Sequence, residues 1–96
     1  MSMVVISDAV AEKLLQKHNV TQDEISACFE NRLGKVLIDD RAFHRRNPPT
    51  LWFIAETTSR RLLKVVFQIR KGSSHIITAY EPNVDEMRIY EAQGTL

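Results

Sequence analysis

The sequence predicts an α+β fold with two N-terminal helices, an antiparallel sheet of three to four strands and a C-terminal helix. Apolar residues near both ends recur at helical spacing, whereas those in the middle alternate with polar residues, as in strands. The strand segments follow one another through short turns, which favours an antiparallel meander with the helices packed on one face. A chain of 96 residues is predicted to form a single domain, residues 1–96.

The first helix is predicted from its two ends. Ser7 is a suitable N-cap, and the acid of Asp8 suits the positive start of a helix. Asn19 is a plausible left-handed terminator. The preceding segment, Met1–Ile6, is short and β-branched, and it either adds an edge strand or packs on the core.

The second helix carries the sharpest local signal in the chain. Thr21 with Glu24 three residues later forms a capping box, and Val20 and Ile25 occupy the positions of a hydrophobic staple. We expect this helix to end at Gly34.

The middle of the chain is predicted to be a sheet. Lys35–Asp39 and Leu51–Thr57 read as its first two strands, separated by a polar, basic loop at Asp40–Thr50. The stretch Arg60–Tyr80 then forms a β-hairpin that turns at Lys71-Gly72-Ser73-Ser74. Asn83 with Glu86 caps the final helix, whose apolar residues are Val84, Met87 and Tyr90.

Alternation divides the first strand of this hairpin into two faces. Leu63, Val65, Phe67 and Ile69 share the core face, and Lys64, Val66, Gln68 and Arg70 share the other. The hairpin therefore concentrates polar and basic side chains on a rigid support.

Composition excludes several classes of protein. The chain has no run of about 18 apolar residues, and its N-terminus lacks the basic start of a signal peptide, so we expect no membrane association. A single cysteine, Cys28, excludes an intrachain disulfide and a cysteine-based zinc site. These features predict a cytoplasmic protein.

Charge is distributed unevenly along the chain. The net charge is +1, but residues 41–71 hold eight basic side chains against Glu56 alone, and the segments on either side are net acidic. Such asymmetry suggests an anionic partner. The alternative is that these charges are solvated and pair with the flanking acids.

No metal or cofactor is predicted. His18, His44 and His75 lie far apart in sequence, and the three glycines form no phosphate-binding loop. The chemistry that remains is metal-free cleavage of RNA, in which the RNA 2′-hydroxyl is the nucleophile. The protein then supplies a base, an acid and cations for the charge on the phosphate.

Several side chains are candidates for these roles, each with a purely structural alternative. His75 is a candidate proton carrier or an ordinary strand residue, and Arg60-Arg61 supply cations or form a solvated turn. The loop cations Arg45 and Arg46 clamp a phosphate or simply face solvent. The other candidates are Lys64 and Arg70 as cations, Glu81, Tyr80 and Tyr90 as proton carriers, and Trp52, Phe53 and Tyr80 as stacking surfaces.

Short motifs along most of the chain resemble the BrnT-type toxins, which are small bacterial ribonucleases with a RelE-like fold. Lys17-His18-Asn19-Val20 resembles the family's opening motif, and Arg61–Phe67 resembles its "G-R-x-L-x-V-x-x" strand. His75–Tyr80 resembles a strand ending "R-I-I-S-A-R", with His75 and Tyr80 in place of the two arginines. Glu86, Arg88 and Tyr90 resemble its "E-R-x-x-Y" helix, with the arginine displaced.

The chain also resembles a group of short bacterial proteins ending "TAYEP…IYE", some of which carry the name ADP-ribosyl-(dinitrogen reductase) hydrolase. A hydrolase of that kind would need a larger chain and a carboxylate-rich metal cluster. The BrnT resemblance instead implies a toxin–antitoxin pair, with a small DNA-binding antitoxin that covers the basic face.

We therefore expect the toxin of a bacterial type II pair, a metal-independent endoribonuclease acting on RNA, free or on the ribosome. The alternative is a non-catalytic RNA- or protein-binding module of the same fold; a small hydrolase acting on a nucleotide or ADP-ribose linkage would need a pocket. The predicted catalytic residues are Arg61, Lys64 and His75, and the predicted RNA-binding residues are Arg45, Arg46, Arg60, Arg70 and Tyr80.

Overall fold

A computed structural model describes residues 3–39 and 48–94, and it has the α+β architecture that the sequence predicts. Within these residues, three helices and five strands occur in the order β1, α1, α2, β2, β3, β4, β5, α3. Their bounds are Val4–Val5 (β1), Asp8–His18 (α1), Gln22–Asn31 (α2), Leu37–Ile38 (β2), Leu51–Glu56 (β3), Leu62–Arg70 (β4), Ser73–Tyr80 (β5) and Val84–Gln93 (α3).

The sheet has five strands in the order β1-β5-β4-β3-β2, with β4 at its centre. The four strands β2 to β5 form the predicted antiparallel meander. The fifth, β1, pairs with β5 in parallel, so the sheet is mixed rather than purely antiparallel. Its pairing is anchored where the amide of Ser74 donates to the carbonyl of Met3 at 2.8 Å.

All three helices begin at the predicted caps. The Ser7 side chain accepts from the amide of Val10, and complete capping boxes open α2 at Thr21 and α3 at Asn83. Asn19 ends α1 in the left-handed conformation, with φ of 53°.

The predicted end of α2 is wrong by three residues. Helical geometry stops at Asn31, and Arg32 is already extended. Gly34 serves close packing instead, because a Cβ atom there would lie 2.5 Å from the hydroxyl of Tyr90 and from the carbonyl of Gly94. The glycine thus lets this segment approach the end of α3.

Helices cover both faces of the sheet, and the prediction of a single covered face is wrong. On one face, Phe29 of α2 packs edge-on against Phe53 of β3, with ring centroids 4.9 Å apart. On the opposite face, Tyr90 of α3 packs against Trp52, the neighbouring residue of β3, at 5.7 Å. This is why β3 is buried from Trp52 to Ala55, in keeping with its continuous apolar run Leu51–Ala55.

The main core lies between α1, α2 and the sheet. Leu14, Ile25, Leu63 and Val65 are almost completely buried there. Cys28 belongs to the same core, where burial, together with the nearby charge of Glu24, raises the pKa of its thiol to about 11. A thiol with so high a pKa stays protonated, as expected for an inert core cysteine.

Two backbone features shape the hairpin of β4 and β5. The turn is shorter than predicted, because Arg70 pairs with Ser73 and only Lys71 and Gly72 lie between them. Both turn residues have positive φ, 51° and 80°, as in the turns that suit twisted hairpins. A β-bulge then leaves Ile77 without a partner on β4.

The bulge determines which side chains of β5 face α3. Tyr80 pairs with Lys64 and His75 pairs with Gln68, and these two residues of β4 lie on the same face. In a regular strand, residues five positions apart point to opposite faces. The extra residue therefore places His75 and Tyr80 on one face.

Candidate functional site

A polar groove of about 380 Å³ lies over the sheet beside α3. Its floor is the non-core face of the three central strands, so regular alternation explains why polar side chains gather there. We call it the central groove, and its main lining residues are Thr50, Trp52, Lys64, Gln68, Arg70 and Tyr80.

Lys64, Glu86 and Tyr80 form a compact cluster at one end of the central groove. The ammonium of Lys64 and the hydroxyl of Tyr80 each donate to the same oxygen, Oε2 of Glu86, at 2.7 Å. The Lys64 nitrogen also lies 4.5 Å from the centroid of the Trp52 ring. A cation held between a carboxylate and an aromatic face is fixed in position.

Glu86 holds this position because α3 starts beside it. Its other oxygen, Oε1, accepts from the backbone amide of Asn83 at 2.9 Å and so completes the capping box. One carboxylate therefore caps the helix with one oxygen and accepts from two groove-lining side chains, Lys64 and Tyr80, with the other.

The cluster fixes the protonation states of its members. Burial raises the pKa of Glu86, but hydrogen bonds from Lys64, the Asn83 amide and Tyr80 outweigh it and hold that pKa below the ordinary value of 4.5. Burial and the hydrogen bond to Glu86 raise the pKa of Tyr80. At neutral pH the site thus presents an ionised carboxylate next to a protonated phenol.

A second polar group occupies the other end of the central groove. The Arg70 guanidinium donates to the side-chain oxygen of Gln68 at 2.6 Å. The amide nitrogen of Gln68, which is buried, donates in turn to the carbonyl of Pro48 at 3.2 Å and to the hydroxyl of Thr50 at 3.4 Å. These bonds hold Arg70 against the sheet with its charge at the groove.

Asp39 and Pro48, the described residues on either side of positions 40–47, both lie at the central groove. Asp39 lines the groove, and its amide donates to the carbonyl of Thr50 at 2.8 Å. Pro48, at the other end of the segment, accepts from Gln68. The predicted RNA-binding residues Arg45 and Arg46 lie outside the described residues.

Arg61, a predicted catalytic residue, faces the helices instead of the central groove. Its guanidinium contacts Glu24 and Glu81, both at 3.2 Å, and donates to the carbonyls of His18 and Asn19 at 2.9 and 2.7 Å. Burial lowers its pKa, but the hydrogen bonds to the two carboxylates outweigh this and raise it. Because Nε, Nη1 and Nη2 all donate to groups within the protein, this arginine has a structural role: it holds α1, α2 and the end of β5 together.

The other predicted residues are spread over the hairpin. His75 shares the groove's sheet face but lies opposite Gln68, four positions along β4 from Lys64, or roughly 13 Å away. Arg60 is exposed in the turn before β4, with φ of 67°. The structure therefore brings together Lys64 and Tyr80, with Arg70 in the same groove. Arg61 lies outside this groove, but it lines a neighbouring pocket of about 450 Å³ together with Tyr80 and His18. His75 is separated from both groups.

Glu86 was not among the predicted site residues, although it caps α3 and stands in the segment that resembles the "E-R-x-x-Y" helix. Its position in the motif Asn83–Glu86 predicts a capping role, and that role accounts fully for the residue type. Only the packing of α3 over Lys64 reveals the second role. A weak signal exists, since Lys64 is the single cation on an otherwise apolar stretch of β4.

No protein-family model matches this chain, and no curated protein is significantly similar to it. Among residues 3–39 and 48–94, no group of three or more His, Cys, Asp or Glu side chains is placed to hold a metal ion. In the same part of the chain, no helix is long and apolar enough to cross a membrane.

Proposed function

We propose that this protein is a metal-independent endoribonuclease that binds RNA in the central groove. The observation that carries this proposal is the cluster of Lys64, Glu86 and Tyr80, in which an ionised carboxylate, a cation and a protonated phenol meet at one point. Arg70 in the same groove supplies charge for the RNA backbone.

The chemistry follows from the protonation states of the cluster. Glu86 accepts the proton of the RNA 2′-hydroxyl, whose oxygen then forms a bond to the adjacent phosphorus. The bond from phosphorus to the 5′-oxygen breaks, and Tyr80 gives that oxygen its proton. The products are a 2′,3′-cyclic phosphate and a 5′-hydroxyl, and Lys64 stabilises the charge on the phosphate.

The resemblance to BrnT-type toxins supports a biological setting for this activity. The protein would be the toxin of a type II pair in the bacterial cytoplasm, and a small antitoxin would inhibit it by covering the basic face. RNA, free or on the ribosome, is the substrate of this proposal.

RNA cleavage in the presence of EDTA tests the proposal. Glu86→Gln keeps a capping-box residue while it removes the base, and Tyr80→Phe keeps the ring while it removes the acid. Each should lower the cleavage rate by about 10²-fold or more. The matched control is Glu24→Gln, the same substitution at the same position of the other capping box, and it should leave the rate unchanged. If the wild-type protein cuts no RNA, with or without ribosomes, the proposed activity is wrong.

A second candidate is a non-catalytic module that binds RNA or a protein. The favouring observation is that the Lys64 charge is already compensated by Glu86 and that the Arg61 nitrogens are all occupied. RNA binding that weakens steeply with salt, without cleavage, would support this alternative for RNA. Binding of a protein, insensitive to salt, would support the protein version.

A further inference from the structure

A second groove, of about 600 Å³, lies on the other flank of α3, between that helix and the end of α2. We propose that this groove, which we call the acidic groove, binds a basic amphipathic segment of a partner protein. This surface would serve its partner whether or not the protein cleaves RNA.

The first reason is the apolar lining of the acidic groove. Leu33, directly beyond α2, is 91% exposed, and Leu62 at the start of β4 is 37% exposed. Met87 of α3 and Ile54 of β3 continue the same apolar surface between them. Apolar side chains that converge on one concave surface are typical of a binding site, whereas scattered exposed leucines are not.

The second reason is the charge around this apolar surface. Glu30, Glu56 and Glu91 line the groove, and no lysine or arginine lines it among the described residues. One base lies beside the groove: Arg32 donates to the carbonyl of the lining residue Gly34 at 2.6 Å. The three glutamates outnumber it, so the rim is net negative.

These charges select the kind of partner. The negative rim repels the phosphates of a nucleic acid and attracts lysine and arginine side chains. Apolar anchors spaced for one helix face would fill the floor while basic residues beside them meet the rim. A basic amphipathic helix therefore complements both features of the groove.

The position of α3 makes this site separate from the central groove. Glu86 contacts Lys64 and Tyr80 at the end of the central groove, whereas its neighbour Met87 lines the acidic groove. A protein partner and RNA would thus occupy opposite flanks of one helix.

A synthetic helix of about 15 residues tests the inference, with leucines on one face and lysines elsewhere. Its binding to the full chain is followed by amide chemical shifts in NMR spectra, which also locate the contact. We expect the amides of Leu33, Leu62 and Met87 to shift. A matched peptide with glutamate in place of lysine, and a single-stranded RNA oligonucleotide, should leave them unshifted.

Two sets of variants separate the apolar and charged contributions. Leu33→Gln should weaken peptide binding by about tenfold, because a leucine anchor loses its contact. Val84→Gln, at another exposed apolar position, is the control and should not weaken it. Glu30→Gln combined with Glu56→Gln should weaken binding by about threefold to tenfold.

Several results would overturn the inference. One is that millimolar lysine peptide causes no chemical-shift changes at the acidic groove. Another is that the glutamate peptide binds as tightly as the lysine peptide. A third is that RNA shifts the amides of Leu33, Leu62 and Met87. Self-association of the chain through the groove, detected by sedimentation, would also overturn it, since a second copy would then be the occupant.

Discussion

Arg61 joins three segments that are distant in sequence: its own at residue 61, the connection between α1 and α2, and the residue after β5. Its guanidinium forms ion pairs with Glu24 at the start of α2 and with Glu81 after β5. It also donates hydrogen bonds to the carbonyls of His18 and Asn19 at the end of α1. The side chain is 24% exposed, so this network is partly shielded from solvent. Removal of Arg61 leaves its carboxylate and carbonyl partners without a donor. The free-energy cost of these unpaired groups exceeds the net stabilisation that the contacts provide.

We therefore expect Arg61→Gln to lower the free energy of unfolding by about 2 kcal/mol, as measured by urea denaturation. Its neighbour provides the control: Arg60→Gln, in the exposed turn, should change stability by less than about 0.5 kcal/mol. Equal effects of the two substitutions would contradict the structural role of Arg61.

Glu24 and Glu86 make stability depend on pH. For each carboxylate, hydrogen bonds outweigh the effect of burial and hold the folded-state pKa below the ordinary value of 4.5. A lowered folded-state pKa contributes stability that is complete above the unfolded-state pKa, about 4.3, and is lost as the pH falls towards the folded-state pKa.

The double variant Glu24→Gln, Glu86→Gln should thus be less stable than wild type at pH 7 but lose less stability between pH 5 and about pH 3. Urea denaturation at several pH values measures this difference. Glu12→Gln, an exposed change on α1, serves as the control and should retain the wild-type pH dependence. Parallel stability curves for the wild type and the double variant would contradict the prediction.

At the level of single residues, the sequence could not distinguish basic side chains with a structural role from those at the candidate site. Arg60, Arg61, Lys64 and Arg70 look alike as cations on a hairpin. What separates them is the partner each meets: Arg61 binds Glu24 of α2 and Lys64 binds Glu86 of α3, whereas Arg70 binds Gln68 of its own strand. Local alternation correctly placed Lys64 and Arg70 on one face, but it says nothing about the partners that they meet.

At the level of elements, the hairpin turn between β4 and β5 has two residues, Lys71 and Gly72, that differ in how easily they adopt positive φ. Gly72 adopts positive φ without steric cost, whereas Lys71 adopts it against its own preference. A Cβ atom at Gly72 would meet no other atom within 4 Å, so the cost of a substitution there is conformational only.

Gly72→Ala should therefore destabilise the protein by about 1 kcal/mol, and Lys71→Asn should stabilise it by a few tenths of a kcal/mol, about the asparagine preference in such turns. Thermal unfolding of both variants measures these changes. Lys71→Ala removes the same charge without the asparagine preference and should be neutral or slightly destabilising. A stabilised Gly72→Ala variant would show that the turn is formed differently.

Elements with local signals were the most predictable from the sequence. The capping boxes at Thr21 and Asn83 involve residues only three positions apart, and both form as expected. The end of α2 was predicted wrongly because Gly34 is required for close packing against Tyr90 and Gly94, which lie more than 50 positions away. A glycine needed for close packing looks the same in sequence as a glycine that terminates a helix.

The whole molecule is organised around β4, which is paired along most of its length on both sides. By contrast, β1 and β2 are edge strands of two residues each, held by few hydrogen bonds. Local opening of such edges costs much less free energy than global unfolding.

Hydrogen exchange should show this gradient. The amides of Val65 and Val66 are expected to exchange only by near-global unfolding, and those of Leu37 and Ile38 by local opening. Gly72→Ala should then lower the protection of the β4 amides by about the 1 kcal/mol that it removes from global stability. It should leave the β2 amides unchanged, and equal loss of protection in both strands would contradict the gradient.

Two features of the whole fold could not be predicted from the sequence because they depend on contacts between residues that are distant in the chain. The parallel pairing of Val4–Val5 with β5 joins residues some 70 positions apart. The placement of α3 opposite α1 and α2 depends on both faces of β3 being apolar, which a strand of six residues does not reveal by periodicity. The fold class itself was predictable, because it needs only the type and order of the elements.

The bulge at Ile77 also bears on how this chain should be aligned with others. A relative whose β5 is regular would have one residue fewer between the partners of Val66 and Phe67. An alignment of the two therefore requires a gap of one residue between Ile76 and Thr78. Without that gap, every residue from Ser73 to Ile76 would be matched to a position on the opposite face of the sheet, and His75 would be compared with the wrong side chain.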